Sequence, residues 1–406
     1  MNPPTLLEKH IRPISLTPVL AKVMESFTCK WVMDHISNDL DPPQYGSVKN
    51  SSTVHAFVEL IHHWQQGLDE PGKVLHVLLL DYSKAFDRVD HTILLLKLAN
   101  MGVPDFLVSW FTSFLCGRRQ CTKIGDLLSE WCTINAGVPQ GTLFGPVGFV
   151  VHINDLKSIL DIAKYVDDSS VWEVYSKKAQ DSQLQQATDE AIQWSDYNLM
   201  RANCDKTKEL LVDYSRKPTD IPCIKVKGKD IERVTSTKLL GVTITSDLTW
   251  GAHVDSTHSR ASQRLYFLTL LKRAGMPPHS MTKVYTAIVR SIAEYACQVW
   301  HTGLTEQQSE KLESIQKRAM RIIFPDFSYG DALAQSKLPT MHDRRERLSR
   351  EFFEAMLQPG HRLHHLLPVR RESGYGLRNQ NSRPLLRTKH ERFKRTLIPH
   401  GLLNWQ

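Results

Sequence analysis

Long apolar runs are the first thing this 406-residue chain does without. No stretch approaches the roughly 18 apolar residues that a membrane-spanning helix needs, so no membrane partner is expected. The opening Met1-Asn2-Pro3-Pro4 has neither a charged leader nor an apolar signal core, and an intracellular location, nucleus and cytoplasm, is expected. Cysteine is sparse: Cys29, Cys116, Cys121, Cys132, Cys204, Cys223 and Cys297 are odd in number, scattered, and include no Cys-x-x-Cys pair. That speaks against a zinc knuckle or a disulfide framework and for free thiols in a reducing compartment. Internal repeats and low-complexity linkers are missing too. The length exceeds one typical domain, so two or three folding units are expected.

What is present begins with charge. Hydrophobic residues make up 41% and charged residues 23%, ordinary for a globular protein, with a net charge of +8. From Met341 to Gln406 there are 14 Arg/Lys against 6 Asp/Glu, so the whole excess lies in the last sixth of the chain. Arg344, Arg345, Arg347, Arg350, Arg370, Arg371, Lys394 and Arg395 suit phosphate neutralisation or a solvated basic surface, and charge alone does not choose.

The apolar periodicity runs helical at first. Leu20 to Ile36 reads as an amphipathic helix with Leu20, Val23, Met24, Phe27 and Trp31 on one side. Asp41-Pro42-Pro43 breaks the chain, and Ser52-Thr53 can cap a second helix to about Trp64. Val74 to Leu80, interrupted only by His76, has the length of a buried strand. Helices are expected over 91–100 and 105–115, and a hairpin over 118–134 around Gly125-Asp126. A Gly/Pro-punctuated segment (137–146) leads into a helix to Leu160, a hairpin centred on Asp167-Asp168, and a helix over 180–200. Strands follow at 209–214, 224–226 and 239–244, then helices at 261–274, 279–302 and 306–324.

Carboxylates at strand ends point to a chemistry. Adding a nucleotide to a primer requires in-line attack of a 3′-hydroxyl on an α-phosphate, assisted by two Mg²⁺ ions. Such ions take oxygen ligands from one or two carboxylates, substrate phosphates and water. Asp81 ends the apolar strand, and Asp167-Asp168 sit between Lys164-Tyr165-Val166 and Ser169-Ser170, at a tight turn. Each piece alone is better explained by a solvated turn.

Together the blocks carry a resemblance. Leu80-Asp81-Tyr-Ser-Lys-Ala-Phe86-Asp87-Arg-Val-Asp90-His91 resembles the first palm motif of non-LTR, jockey-like (LINE) retrotransposon reverse transcriptases. Gly137-Val-Pro-Gln140-Gly141-Thr-Leu-Phe-Gly145-Pro146 resembles their second, and Tyr165-Val-Asp-Asp168 their Tyr/Phe-x-Asp-Asp box. Asn203-Cys-Asp-Lys206-Thr207-Lys208, Lys238-Leu-Leu-Gly241 and, upstream, Arg12-Pro-Ile-Ser-Leu16 with Gln44-Tyr-Gly46 stand in family order. Six ordered blocks over about residues 11 to 250 are specific where any one is weak.

The resemblance implies roles. Asp81, Asp167 and Asp168 would be catalytic and hold two Mg²⁺ ions, with the Tyr82 carbonyl on the second. Phe86 would be the steric gate against a ribose 2′-hydroxyl, or else a core aromatic. Gln140 and Gly141 would lie against nucleotide and template, and Lys206 would protonate or neutralise pyrophosphate unless it is a plain surface lysine. Arg12 would clamp the triphosphate. Arg118, Arg119, Lys317, Arg318 and Arg321 are candidate nucleic-acid contacts, the last three on one helical side that could equally be solvated. Asp87, Asp90 and His91 are expected to cap a helix, and Asn154-Asp155 to cap or pack. Phe144, where the family has Leu, and Ser169, where it often has Thr, are mild departures.

The expected fold is α+β, a right-hand polymerase. Truncated fingers (1–70) precede a ferredoxin-like antiparallel palm (71–250), a helical thumb (251–324) and a basic helical C-terminal extension (325–406). The expected activity is RNA-directed DNA synthesis from dNTPs on an RNA template and a DNA primer or target. A truncated or host-retained remnant that binds nucleic acid but polymerises poorly is the alternative. An RNA-dependent RNA polymerase shares the palm, but Phe86 and the Tyr-x-Asp-Asp box argue against it.

Overall fold

A computed structural model describes residues 14–178, 182–215, 221–370 and 383–406. Two helices, α1 (Val19–Ile36) and α2 (Thr53–Leu68), precede the first strand, β1 (Lys73–Leu80). Helices α3 (His91–Asn100) and α4 (Asp105–Leu115) follow, then two short nested pairs: β2 (Arg119–Gln120) with β5 (Cys132–Thr133), and β3 (Lys123–Ile124) with β4 (Leu127–Leu128). Helix α5 (Phe144–Ile153) leads to β6 (Asp161–Tyr165) and β7 (Asp168–Ser176), and α6 (Leu184–Tyr197) to β8 (Lys208–Val212). The hairpin β9 (Lys225–Val226) with β10 (Lys229–Asp230) precedes β11 (Glu232–Arg233), and β12 (Ser236–Leu239) pairs with β13 (Val242–Thr245).

The principal sheet has the order β11-β8-β1-β7-β6, antiparallel except for the parallel β11–β8 pair. It is buried on both faces, which is why β1 reads as a continuous apolar run rather than an alternation. Leu75 and Val77, with Trp172, Leu210 and Val212, face a core shared with α2 and the C-terminal helices. Leu78, Leu80 and Val171 face the other core, formed with α3 to α6. His76 interrupts the run without harm because its Nε2 lies 2.7 Å from Glu209 Oε1, both side chains buried. Burial alone would raise the Glu209 pKa. Hydrogen bonds from His76, the Ile224 amide and Arg233 outweigh it and hold the pKa below the ordinary value.

Beyond β13 the chain is helical: α7 (Gly251–Arg273), α8 (Pro278–Val284), α9 (Ser291–Glu294), α10 (Cys297–Trp300), α11 (Glu306–Ile323), α12 (Tyr329–Ser336) and α13 (Met341–Met356), with α14 (Glu391–Lys394) and α15 (Leu397–Asn404) at the end. The final segment turns back onto the start of the sheet. The amides of Lys389 and His390 donate to the Asp69 carboxylate at the end of α2 (2.6 and 2.8 Å), and Arg392 lies 3.7 Å over the Tyr214 ring. No helix among the described residues is long and apolar enough to cross a membrane. All seven cysteines are free thiols.

Several features differ from the sequence reading, the helix expected to reach Leu160 among them, which ends at Ile153. Helix α1 forms where expected, but Leu20, Val23, Met24, Phe27 and Trp31 are exposed, and Glu25, Thr28, Cys29, Val32 and Ile36 are buried. The Glu25 carboxylate decides the facing: its Oε2 accepts the Leu143 and Phe144 amides at the start of α5 (2.8 and 3.2 Å). The 239–244 strand is a hairpin instead, turned by Leu240 and Gly241, both at positive φ (43° and 88°). The 279–302 helix is broken by a π-helical turn at Tyr285–Arg290 and by Ala296 at φ 51°. Arg345, read as part of a basic tail, is 0% exposed: Nε points to His301 Nδ1 (3.4 Å) and Nη2 donates to Ser309 Oγ (3.0 Å).

Candidate active site

The site is built where β1 and the β6–β7 hairpin end together. In the antiparallel β1–β7 pair, Val77 lies opposite Trp172 and Leu80 opposite Ser169, so the next pair in that register is Asp81 opposite Asp168. Directly opposed residues on antiparallel strands sit about 4.5–5.5 Å apart at Cα and send side chains to the same face. Tyr165 pairs with Asp168 across the hairpin, leaving Val166 and Asp167 as its two turn residues. Asp168 therefore already belongs to β7 rather than to the tip. Val166 has φ 60°, the positive-φ first position of a tight hairpin turn, and a β-branched residue there is strained.

The surroundings hold that strained turn. Gln44 Oε1 accepts the Val166 amide (3.3 Å) and the Gly46 amide (3.1 Å). A Cβ on Gly46 would come within 2.6 Å of the Val166 nitrogen, so only glycine permits this approach. Lys164, 1% exposed, donates through Nζ to the carbonyls of Ile153, Asn154 and Leu156 and pairs with Asp41 (2.6 Å). Burial, opposed by Asp41, brings its pKa down to about 8.

The other blocks converge on the same end of the sheet. The Asp81 amide donates to Thr207 Oγ1 (3.2 Å), the Asp81 carbonyl accepts the Asn203 amide (2.8 Å), and Tyr82 bridges Ala202. Lys206, beside Thr207, is exposed at this rim. Across the first and second motifs, the Val138 amide donates to the Phe86 carbonyl and the Gly137 amide to the Val89 carbonyl (2.8 Å each). His91 Nε2 meets the Gly137 carbonyl at 2.8 Å, and Gln140 Nε2 donates to Asp87 Oδ1 (3.0 Å). Gly141, at φ 93°, lies against Ile14 and Ser15.

Contacts thus join the strand end at Asp81 to the 202–207 segment and the 86–91 segment to 137–140, and the packing gives several candidate residues other partners. Phe86 is half-buried and its ring stacks on Phe149 at 4.9 Å, so one side belongs to the core. The Tyr82 hydroxyl is buried against Ser195 (3.1 Å), and burial raises its pKa. Asp90 caps α3 through the Ile93 amide (2.9 Å), as expected. Asn154 braces Asp41 and Asp39, and Asp155 pairs with Lys97 (2.6 Å). Arg118 lies 4.8 Å over the Phe114 ring and Arg119 6.0 Å over Trp131. Lys317, Arg318 and Arg321 share the exposed side of α11, with Arg318 donating to Ser262 (3.2 Å). Arg12 lies outside the described residues. Sequence reading missed the supporting roles of Glu25, Gln44 and Thr207; the last two stand inside quoted blocks, and the signal was their position there.

Among the described residues no three His, Cys, Asp or Glu side chains already stand gathered around one point as an ion site. The fit to a divalent ion rests on the donor set: hard carboxylate oxygens on adjoining strand ends, the kind that Mg²⁺ combines with substrate phosphates and water.

The chain is similar to the family model described as reverse transcriptase (RNA-dependent DNA polymerase), matched over residues 3–244. A probable RNA-directed DNA polymerase from transposon BS of Drosophila melanogaster is 27% identical over 95% of this chain and 43% of its own length. The RNA-directed DNA polymerase from the mobile element jockey of the same fly is 24% identical over 87% of this chain and 40% of its own. This chain thus spans less than half the length of these curated relatives. Among solved structures, apo telomerase from Candida tropicalis has a TM-score of 0.45 at 12% identity, covering 81% of this chain and 54% of that one. A family match over more than half of the residues, with its blocks meeting at one end of the sheet, makes this chain a member of the reverse transcriptase family, similar to the jockey-like non-LTR retrotransposon polymerases.

Proposed function

We propose that this chain is the RNA-directed DNA polymerase portion of a non-LTR retrotransposon, extending a DNA primer on an RNA template from dNTPs. What supports the reading is the β1–β7 register, which ends with Leu80 opposite Ser169 and, carried one step on, would bring Asp81 opposite Asp168, with Asp167 in the adjoining turn. Asp81, Asp167 and Asp168 would hold two Mg²⁺ ions, which supply Lewis-acid activation of the primer hydroxyl and neutralisation of pyrophosphate. The protein's own part is positioning. The Phe86 ring, braced on Phe149, offers its open side to the sugar and would exclude a 2′-hydroxyl. Gln140, held by Asp87, and the backbone at Gly141 would lie along the nucleotide and template. Exposed Lys206 would meet the departing pyrophosphate with a cation or a proton. Arg12 would clamp the triphosphate.

Arg118, Arg119, Lys317, Arg318 and Arg321 would track the nucleic-acid backbone, setting grip rather than sequence. Residues 1–70 would be fingers, 71–250 a ferredoxin-like palm, 251–324 the thumb and 325–406 an extension. The test is primer extension on an RNA template with Mg²⁺ and dNTPs, against Asp167→Asn. The expected result is synthesis by the natural chain, none by the variant, and duplex binding by both. Binding without synthesis by the natural chain would favour a nucleic-acid-binding remnant.

A further inference from the structure

The outer edge of the sheet, the strand that carries the Asp167–Asp168 turn, is not open. Residues 43–45 pair with it: the Lys164 amide donates to the Pro43 carbonyl (2.8 Å), the Tyr45 amide to the Lys164 carbonyl (2.7 Å), and Gln44 bridges Lys164 in parallel. The same short segment supplies Gln44 and Gly46 to the Val166 turn. Its far side is held from 318 residues away. Arg362 Nη2 donates to the carbonyls of Pro42 and Gln44 (2.5 Å each), and its guanidinium lies 4.5 Å over the Tyr45 ring. The Tyr45 hydroxyl in turn donates to Glu59 on α2. Leu363, next in the chain, is fully buried in the core that also contains Tyr45.

We infer that Arg362 is a positioning residue for the active-site turn, clamping segment 42–46 so that Gln44 and Gly46 keep Val166 in its strained conformation and Asp167 and Asp168 in place. The inference rests on the polymerase reading and extends it to the C-terminal region. A β-branched residue at positive φ persists only where the surroundings hold it, and here the holder is a loop rather than a strand. Two of that loop's carbonyls accept from one guanidinium nitrogen, Nη2, while the flat guanidinium packs on the Tyr45 ring; lysine, a compact ammonium on a flexible stem, does not reproduce that stacked placement. Arg362 belongs to the region whose excess charge suggested phosphate binding, yet its donors face backbone carbonyls and its ring-stacked plane is half-buried.

Two variants of the full chain test this: Arg362→Lys, which keeps the charge, and Gln44→Leu, which removes the acceptor for Val166 without touching Arg362. Hydrogen–deuterium exchange of peptides covering 160–170 is read first, because it does not depend on activity. Both variants are expected to speed exchange there by about threefold or more, the mark of a loosened local unit. In primer extension both are expected to lower kcat by about 10- to 100-fold, as sub-ångström to 1 Å misplacement of reacting groups does. The half-saturating Mg²⁺ concentration should rise, and KM for the RNA–DNA duplex should hold within about twofold of the natural chain. Unchanged exchange at 160–170 in a folded Arg362→Lys chain overturns the inference. So does a loss of activity explained wholly by weaker duplex binding, which would make Arg362 a phosphate contact. If Arg362→Lys does not fold, Gln44→Leu with natural exchange and natural Mg²⁺ demand overturns it equally. A natural chain that fails to polymerise while the variants loosen the turn would instead defeat the polymerase reading alone.

Discussion

The principal sheet and the C-terminal region both set charge within an apolar frame, and they do so in opposite ways. In the sheet, β1 stays apolar until it ends, and Asp81 stands where the strand leaves the core; Asp168 stands at the matching end of β7. In the C-terminal region two guanidinium groups, those of Arg345 and Arg362, turn inward. Arg345 is 0% exposed beside Trp300, His301 and Ser309, and Arg362 spends its donors on two carbonyls. Other members of that basic set are paired with acids: Arg344 with Glu294, Arg347 with Glu351, Lys394 and Arg395 with Glu391. Charge at the sheet end stands at the rim, while Arg345 and Arg362 hold theirs against the protein's own groups. Counting charges along the sequence does not tell these apart.

The contrast is broken first at the sheet end. Asp81→Asn and Asp168→Asn should each lower the extension rate by about 10³-fold or more while melting temperature holds or rises, since each change removes one of two facing charges. Stopped-flow extension beside calorimetry checks both halves; an active Asp168→Asn chain would contradict the assignment. Next is Gly46→Ala, whose Cβ would meet the Val166 backbone at 2.6 Å. It should lower kcat by about 100-fold and cost about 1–3 kcal/mol in denaturant unfolding.

Acid should act on both regions at once. Burial pushes the pKa of His62 down to about 3 and those of His152 and His253 down to about 4. Each is neutral when folded but takes a proton in the unfolded chain below about pH 6.5, so stability is full above that value. Stability should fall toward pH 4, with each histidine adding up to about 1.4 kcal/mol per pH unit to the slope; urea titrations at pH 7, 6 and 5 measure it. The smallest effect is expected at Arg345. Replacing a buried cation whose partners among the described residues are His301 and Ser309 rather than a carboxylate with an apolar side chain of similar length, Arg345→Met, should be neutral or stabilising by about 1 kcal/mol. A loss above about 3 kcal/mol would mean that the guanidinium is needed where it lies.

Much of the sheet was legible because its signals are local. The apolar run Val74–Leu80, the Asp81 that ends it and the Tyr165–Asp168 turn are each read within a few residues, and the sheet pairs them as expected. The facing of α1 was not legible: its richer apolar side is exposed because Glu25, on the other side, caps α5 from 118 positions away. The 239–244 turn had a signal in Gly241, which was read as part of a motif rather than as a break. The roles of Arg345 and Arg362 had no local signal. An arginine that serves carbonyls distant in sequence looks, residue by residue, like one that serves phosphate.

Two segments, 81 and 167–168, are proposed to share one divalent-ion site. Charging the chain with Fe²⁺ in place of Mg²⁺ and adding ascorbate and peroxide cuts backbone next to the bound ion. The account expects cuts near both Asp81 and Asp167, suppressed together by excess Mg²⁺ and by Asp168→Asn. Cuts at only one of these segments, or at neither, would contradict it.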